Sequence, residues 1–251
     1  MRCSPLLPLM FAVLLGAGCS DDAASSESTL TGSATTPVSG VETSPPATGP
    51  DETEASGAAS TFVAEVWADN WFSLYVNGVL VGEDSVPITT ERSFNAETIT
   101  FSATYPLTVA MVTKDYKETD SGLEYIGTDR QQMGDGGFIA QITDTSAGRI
   151  VAVTGSDWRG LVVHSAPLNT ECATSDAPDS ECRFEALDEP VGWTEAGFDD
   201  SSWTKAIAYT AEQVGVKDGY ETITWDATAQ LIWSADLQVD NTVLWRTTVV
   251  V

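Results

Sequence analysis

Apolar and polar side chains alternate most cleanly over residues 68–83, ADNWFSLYVNGVLVGE, where Phe72, Leu74 and Val76 are followed, after Asn77-Gly78, by Val79 and Val81. A period of two is the signature of a half-buried strand. Asn77-Gly78 supplies both positive-φ positions of a type I′ turn, because glycine has no Cβ to clash and asparagine tolerates the left-handed region. A two-residue turn pairs Val76 with Val79 and Leu74 with Val81, which puts all five apolar residues on one face. Burying each is worth about 1.5 to 3 kcal/mol, so this hairpin requires a second sheet to cover it.

Short strand patterns recur at 62–67, 99–103, 107–113, 138–143, 150–153, 161–164, 206–209 and 243–250. The residues between them are rich in Gly, Pro, Asp and Ser, and no long segment keeps a capped 3.6-residue period. This predicts an all-β, antiparallel sandwich or jelly roll over residues 61–251. Upstream the pattern is different. Arg2, an apolar run over 6–15 and small residues up to Cys19 read as an export signal over 1–18, too short to stay in a bilayer as a spanning helix. Residues 19–60 carry Ser, Thr, Ala, Gly, Pro and acids with almost no large apolar side chain, which reads as a disordered tether.

Four motifs carry a resemblance. They are Asp69-Asn70 leading into Leu74-Tyr75-Val76-Asn77-Gly78; Gly136-Gly137-Phe138-Ile139-Ala140; Ser156-Asp157-Trp158; and Gly192-Trp193 followed by Phe198-Asp199-Asp200-Ser201-Ser202-Trp203. Ile232-Trp233-Ser234-Ala235-Asp236 and Leu244-Trp245-Arg246 fit the same order. The series resembles the galactose-binding-like jelly-roll β-sandwich of α-L-rhamnosidase N-terminal domains and of the sugar-binding domains of family-two glycoside hydrolases. That resemblance implies a carbohydrate-binding module without a catalytic module of its own. The leader likewise resembles a bacterial lipoprotein signal, with Gly16 in the place three before the cysteine where leucine is usual. It implies a lipid on Cys19 and a chain anchored at the cell envelope, with simple cleavage and secretion as the alternative.

Charge narrows the partners. Thirty-seven acidic against 11 basic residues give a formal charge of -26, which repels nucleic-acid phosphates and anionic lipid alike and leaves the N-terminal lipid as the membrane contact. The acidity reads either as a solubilising surface or as a carboxylate-rich site, so Ca²⁺ is the cofactor left open. Cys172 and Cys182 share one polar loop with no histidine nearby, a disulfide rather than a zinc pattern in an exported chain.

Sugar sites need an aromatic plate with polar side chains beside it. Trp67, Trp203 and Trp245 fall within or beside apolar strand patterns and read as core. Trp71, Tyr125 and Trp158 fall at loop edges beside Asn70, Arg130 and Arg159. The ligand-binding candidates are therefore Trp71, Tyr125, Arg130, Trp158 and Arg159, with the competing reading that the Ser156-Asp157-Trp158 turn only pins one sheet to the other. Asp199-Asp200 and Asp69-Asn70 read either as turn caps or as calcium ligands, and no metal-ligand set is fixed by spacing. The connector 116–137, with Gly134-Asp135-Gly136-Gly137, is long enough to form a binding lip or a plain excursion. His164 is the single histidine and ends an apolar strand; there is no Gly-x-Ser-x-Gly elbow and no zinc-binding pair. The expectation is a non-catalytic module for a glycan or cell-envelope polysaccharide. The alternatives are a structural or protein-docking sandwich on another surface protein, and a glycoside hydrolase or its accessory with an unseen carboxylate pair.

Overall fold

The computed structural model describes residues 57–88, 95–115 and 118–250. The leader, Cys19 and the tether up to residue 56 lie outside the described residues. In chain order the strands are β1 (Ser60–Asp69), β2 (Trp71–Val76), β3 (Val79–Glu83), β4 (Ala96–Ala103), β5 (Leu107–Lys114), β6 (Leu123–Glu124), β7 (Gln132–Met133) and β8 (Gly137–Asp144). They continue with β9 (Arg149–Val153), β10 (Arg159–Ser165), β11 (Glu185–Ala186), β12 (Thr204–Lys205), β13 (Ile207–Tyr209), β14 (Leu231–Trp233) and β15 (Asp240–Val249). Two single-turn helices, α1 (Pro178–Glu181) and α2 (Ala211–Val214), sit in the connections.

The strands form an antiparallel sandwich. One sheet runs β13-β14-β8-β1-β4 with β9 also on β8; the other runs β11-β10-β15-β5-β2-β3 with β12 also on β10. Alternation explains the core between them. Phe62, Ala64, Val66 and Ala68 of β1 and Phe138, Ala140 and Ile142 of β8 meet Phe72, Leu74 and Val76 of β2, Leu107, Val109 and Met111 of β5, and Val243 and Trp245 of β15.

The opposite faces of both sheets are covered as well. Trp67 and Ile139 pack under Val214, Leu231, Tyr220 and Trp225, and the Trp67 indole donates to the Asp218 carbonyl at 3.1 Å. Ala110, Val112, Val163 and Leu244 pack under Trp193 and Trp203. Buried Arg246 ties this second cover down, donating from Nε to Asp200 Oδ2 at 2.9 Å and from its two terminal nitrogens to the Trp193 and Glu195 carbonyls.

The 68–83 hairpin forms, with one correction to its register. Asn77 and Gly78 both take positive φ, 51° and 80°. The Asn77 side chain also spans to the next turn, accepting from the Thr108 amide at 2.7 Å and donating to the Thr104 carbonyl at 3.0 Å. Val76 pairs with Val79 as expected, but Leu74 pairs with Gly82 rather than Val81, because the ladder shifts between Leu74 and Tyr75. The extra residue bends the edge strand, so Val81 is only half-buried against the core and Val79 at the tip is 63 % exposed. The shift also brings Gly82 over Ile99 of the facing sheet, where a Cβ would lie 2.7 Å from the Ile99 methyl.

Candidate functional site

The predicted ligand residues do not form one plate. Trp158 is 1 % exposed, packs edge-on against Phe138 at 5.9 Å and donates from its indole to the Val153 carbonyl at 2.8 Å. It borders a cavity of about 340 Å³ between β9 and the end of β15 but offers no ring face to a ligand. The stacking role expected of Trp158 therefore gives way to packing, because the turn that carries it is polar while the ring points into the core. Arg159 is spent locally, donating to the Ser201 and Trp203 carbonyls at 3.2 Å and lying 3.6 Å from Asp200. Trp71 is half-buried against the Trp193–Trp203 cover, with the Lys114 ammonium 5.0 Å from its ring centre. Neither residue converges with Tyr125.

Tyr125 and Arg130 do come together, the guanidinium carbon lying 4.2 Å from the phenol ring centre. Tyr125 takes a φ of 51°, and Thr128 closes the turn by donating to its carbonyl from both the amide, 3.1 Å, and the hydroxyl, 2.7 Å. Next to this turn lies a cleft of about 290 Å³ lined by Thr128, Asp129, Gln131, Thr174, Ser175 and Asp176. Gln131 joins its two walls, its amide donating to the Ala173 and Ser175 carbonyls at 2.9 Å each. The far wall is the loop closed by the Cys172–Cys182 disulfide, whose sulfurs pack with Leu123, Ile126 and Met133.

The acidic pairs weighed in the sequence separate in kind. Asp200 pairs with Arg246, and Asp199 caps the turn by accepting from the Ser201 amide at 3.0 Å. The hydrogen bonds from Ser201 hold the Asp199 carboxyl below its ordinary range. Asp69 is different. It ends β1, is fully buried, and has carboxylate oxygens within 4.8 Å of one oxygen each of Asp115 and Asp135. Asp115 follows β5 and is also fully buried; Asp135 precedes β8 and is half-buried.

Backbone bonds fix this convergence. The Asn70 amide donates to the Lys114 carbonyl, the Asp115 amide to the Asn241 carbonyl and the Gly136 amide to the Leu237 carbonyl, each at 2.8 Å. The glycines around Asp135 are required by proximity. A Cβ at Gly134 would overlap Asp115 Oδ2, and one at Gly136 would lie 2.5 Å from the Trp233 ring.

Lys217, after α2, reaches in from the side, its ammonium 3.0 Å from Asp69 Oδ2 and 3.1 and 3.0 Å from the two Asp135 oxygens. Burial opposes its charge, but Asp69 and Asp135 more than offset this and raise its pKa above the ordinary lysine value. Burial, with Asp135 beside it, pushes the Asp69 carboxyl up to about 8. Burial pushes Asp115 well above the usual carboxylate range, and Asp69, Glu124 and Asp135 add to it. Sequence reasoning singled out Asp69 and Asp135 in separate motifs and passed over Asp115; the signal was an aspartate two residues past the strand 107–113.

His164 is buried, with Nδ1 3.0 Å from Asn241 Oδ1, Nε2 3.5 Å from Asp120 and its ring stacked on Phe184. Compared with protein-family models, curated proteins and solved structures, the chain matches none of them.

Proposed function

We propose that this chain is a non-catalytic binding module for a neutral glycan, held at the cell envelope by the lipid on Cys19, with the cleft beside Tyr125 as its sugar site. The observation that carries the reading is the cleft itself. It gathers two carboxylates, three hydroxyls and an amide within about 290 Å³, next to the turn that carries Tyr125 with Arg130 over its ring. Asp129 and Asp176 are exposed acceptors suited to sugar hydroxyls, and a formal charge of -26 disfavours anionic glycans. The disulfide and the Gln131 bridge hold the walls in place, which lowers the entropy lost on binding.

The test is calorimetric titration of the full chain with a panel of neutral oligosaccharides. Binding that Tyr125→Ala weakens by about tenfold, with the melting temperature unchanged, supports the reading. Failure of every panel member, or binding unaffected by both Tyr125→Ala and Asp129→Ala, removes it. A second reading, docking onto another surface protein, is favoured by Leu168, Phe184 and Leu187 along β11, exposed at 44, 49 and 53 %. It takes the lead if no sugar binds.

A further inference from the structure

We propose that Asp69, Asp115 and Asp135 form a binding site for one calcium ion at the end of the sandwich where β1, β5 and β8 meet. Three carboxylates close together do not make such a site on their own. What points to a cation is the state of the two buried members. Among the described residues, neither oxygen of Asp115 has a hydrogen-bond donor, nor does Asp69 Oδ1, although both residues are 0 % exposed and one carboxylate oxygen from each of the three aspartates lies within 4.8 Å of the other two. A buried carboxylate oxygen without a donor is costly, and desolvated oxygens aimed at a shared point are what a cation replaces water with. Lys217 does not meet this need. Its ammonium hydrogen-bonds Asp69 Oδ2 and both Asp135 oxygens, and Asp69 Oδ1 and the two Asp115 oxygens receive no hydrogen bond from it.

The donor set selects the ion. All three ligands are carboxylate oxygens with neither sulfur nor imidazole among them, which favours a hard cation over zinc or copper. Between the hard cations, Mg²⁺ keeps several of its waters, whereas Ca²⁺ exchanges them for six to eight protein oxygens in flexible geometry. Two of the three carboxylates here are fully removed from solvent, so the site suits the ion that gives up its water. The structural consequence is direct. A cation at this point cross-links the end of β1, the end of β5 and the glycine run leading into β8, which are the two ends of the 115–137 excursion and the strand that pairs with β8. This inference stands independently of the glycan reading, because none of its three residues lines the cleft.

The experiment is thermal unfolding and calorimetric titration of the full chain after chelation, with CaCl₂, with MgCl₂, and with neither. One Ca²⁺ per chain is expected, with a melting temperature raised by about 5 to 10 °C at a hundredfold excess over the dissociation constant. Asp115→Asn is expected to fold, because it removes a buried charge without changing shape, and to lose both the bound ion and the thermal shift. Asp135→Asn, at a half-exposed position, is the second variant and is expected to weaken binding at least tenfold. Ca²⁺ that still binds equally well to Asp115→Asn and Asp135→Asn belongs to the general acidic surface and overturns the proposal. So does a wild-type melting temperature that Ca²⁺ leaves unchanged, or a stoichiometric response to Mg²⁺ alone.

Discussion

Replacing Trp158 by alanine should cost the domain a large part of its stability. The ring is 1 % exposed, contacts Phe138 edge-on at 5.9 Å and sits in the main core cluster between the sheets. Removing a buried tryptophan to Cβ costs about 3 to 5 kcal/mol, the sum of lost transfer energy and the cavity left behind. The indole N–H also satisfies the Val153 carbonyl at 2.8 Å, and its loss leaves that acceptor to water or to nothing. Trp158→Phe keeps most of the volume and removes this donor, so it isolates a smaller cost of about 1 kcal/mol. Domains of this size have total stabilities of about 5 to 15 kcal/mol, so the alanine variant loses roughly a fifth or more and melts roughly 6 to 20 °C lower. Urea unfolding followed by tryptophan fluorescence, with the midpoint and slope fitted separately, measures it. A loss below about 1 kcal/mol in Trp158→Ala would refute the packing argument and return the ring to the surface as a stacking plate.

Two further outcomes follow from single groups. Asp84 is buried and accepts from the Val86 amide at 2.8 Å; burial pushes its carboxyl from 3.8 to about 6. The unfolded chain therefore ionises first as pH rises, and native stability falls between about pH 4 and 6 and is flat above it, so Asp84→Asn should gain about 2 kcal/mol at pH 7 and nothing below pH 3.5. An equal gain at both pH values, in denaturant titrations, would rule out the charge as its cause. The Cys172–Cys182 bridge closes a loop of sequence separation 10, so Cys172→Ala with Cys182→Ala should lower stability by about 2 to 3 kcal/mol, read as a melting temperature; an unchanged value contradicts the loop-closure account.

The sequence made the sandwich legible because its cause is local: period-two alternation, an Asn-Gly turn and glycine-rich separators act within a few residues. The hairpin's bulge was not legible, because the shift at Leu74 is set by how Gly82 meets Ile99 on the other sheet. Trp158 misled for a related reason. Flanking Ser156, Asp157 and Arg159 report that the backbone is at the surface, while the ring's direction depends on the Val153 carbonyl and Phe138. Trp67, Trp203 and Trp245 were readable as core because each lies within or beside an apolar strand pattern, and all three are buried. The aspartate cluster was the least visible feature. Its members belong to three motifs far apart in sequence, and only the β1–β8 pairing and the position of β5 in the opposite sheet bring them together.

That topology also limits where any ligand can sit. Many sandwiches bind on an open sheet face, but here both outer faces are occupied by the chain's own segments, Trp193 and Trp203 on one and Val214, Tyr220 and Trp225 on the other. Stripping either cover would expose tryptophans that now make up two of the buried clusters, so these faces are closed by hydrophobic burial rather than by chance contact. What remains are the edges and the connections at the ends. Of these, the 115–137 excursion carries polar groups on both scales. Buried Asp115 and half-buried Asp135 stand at its two roots, each with a carboxylate oxygen within 4.8 Å of one on Asp69 at the end of β1, and Thr128, Asp129 and Gln131 stand at its crown against the disulfide loop. A connection this long would ordinarily be loose. This one is held at its roots by the backbone bonds of Asp115 and Gly136 and at its crown by the Gln131 amide, which bonds the Ala173 and Ser175 carbonyls across to the disulfide loop.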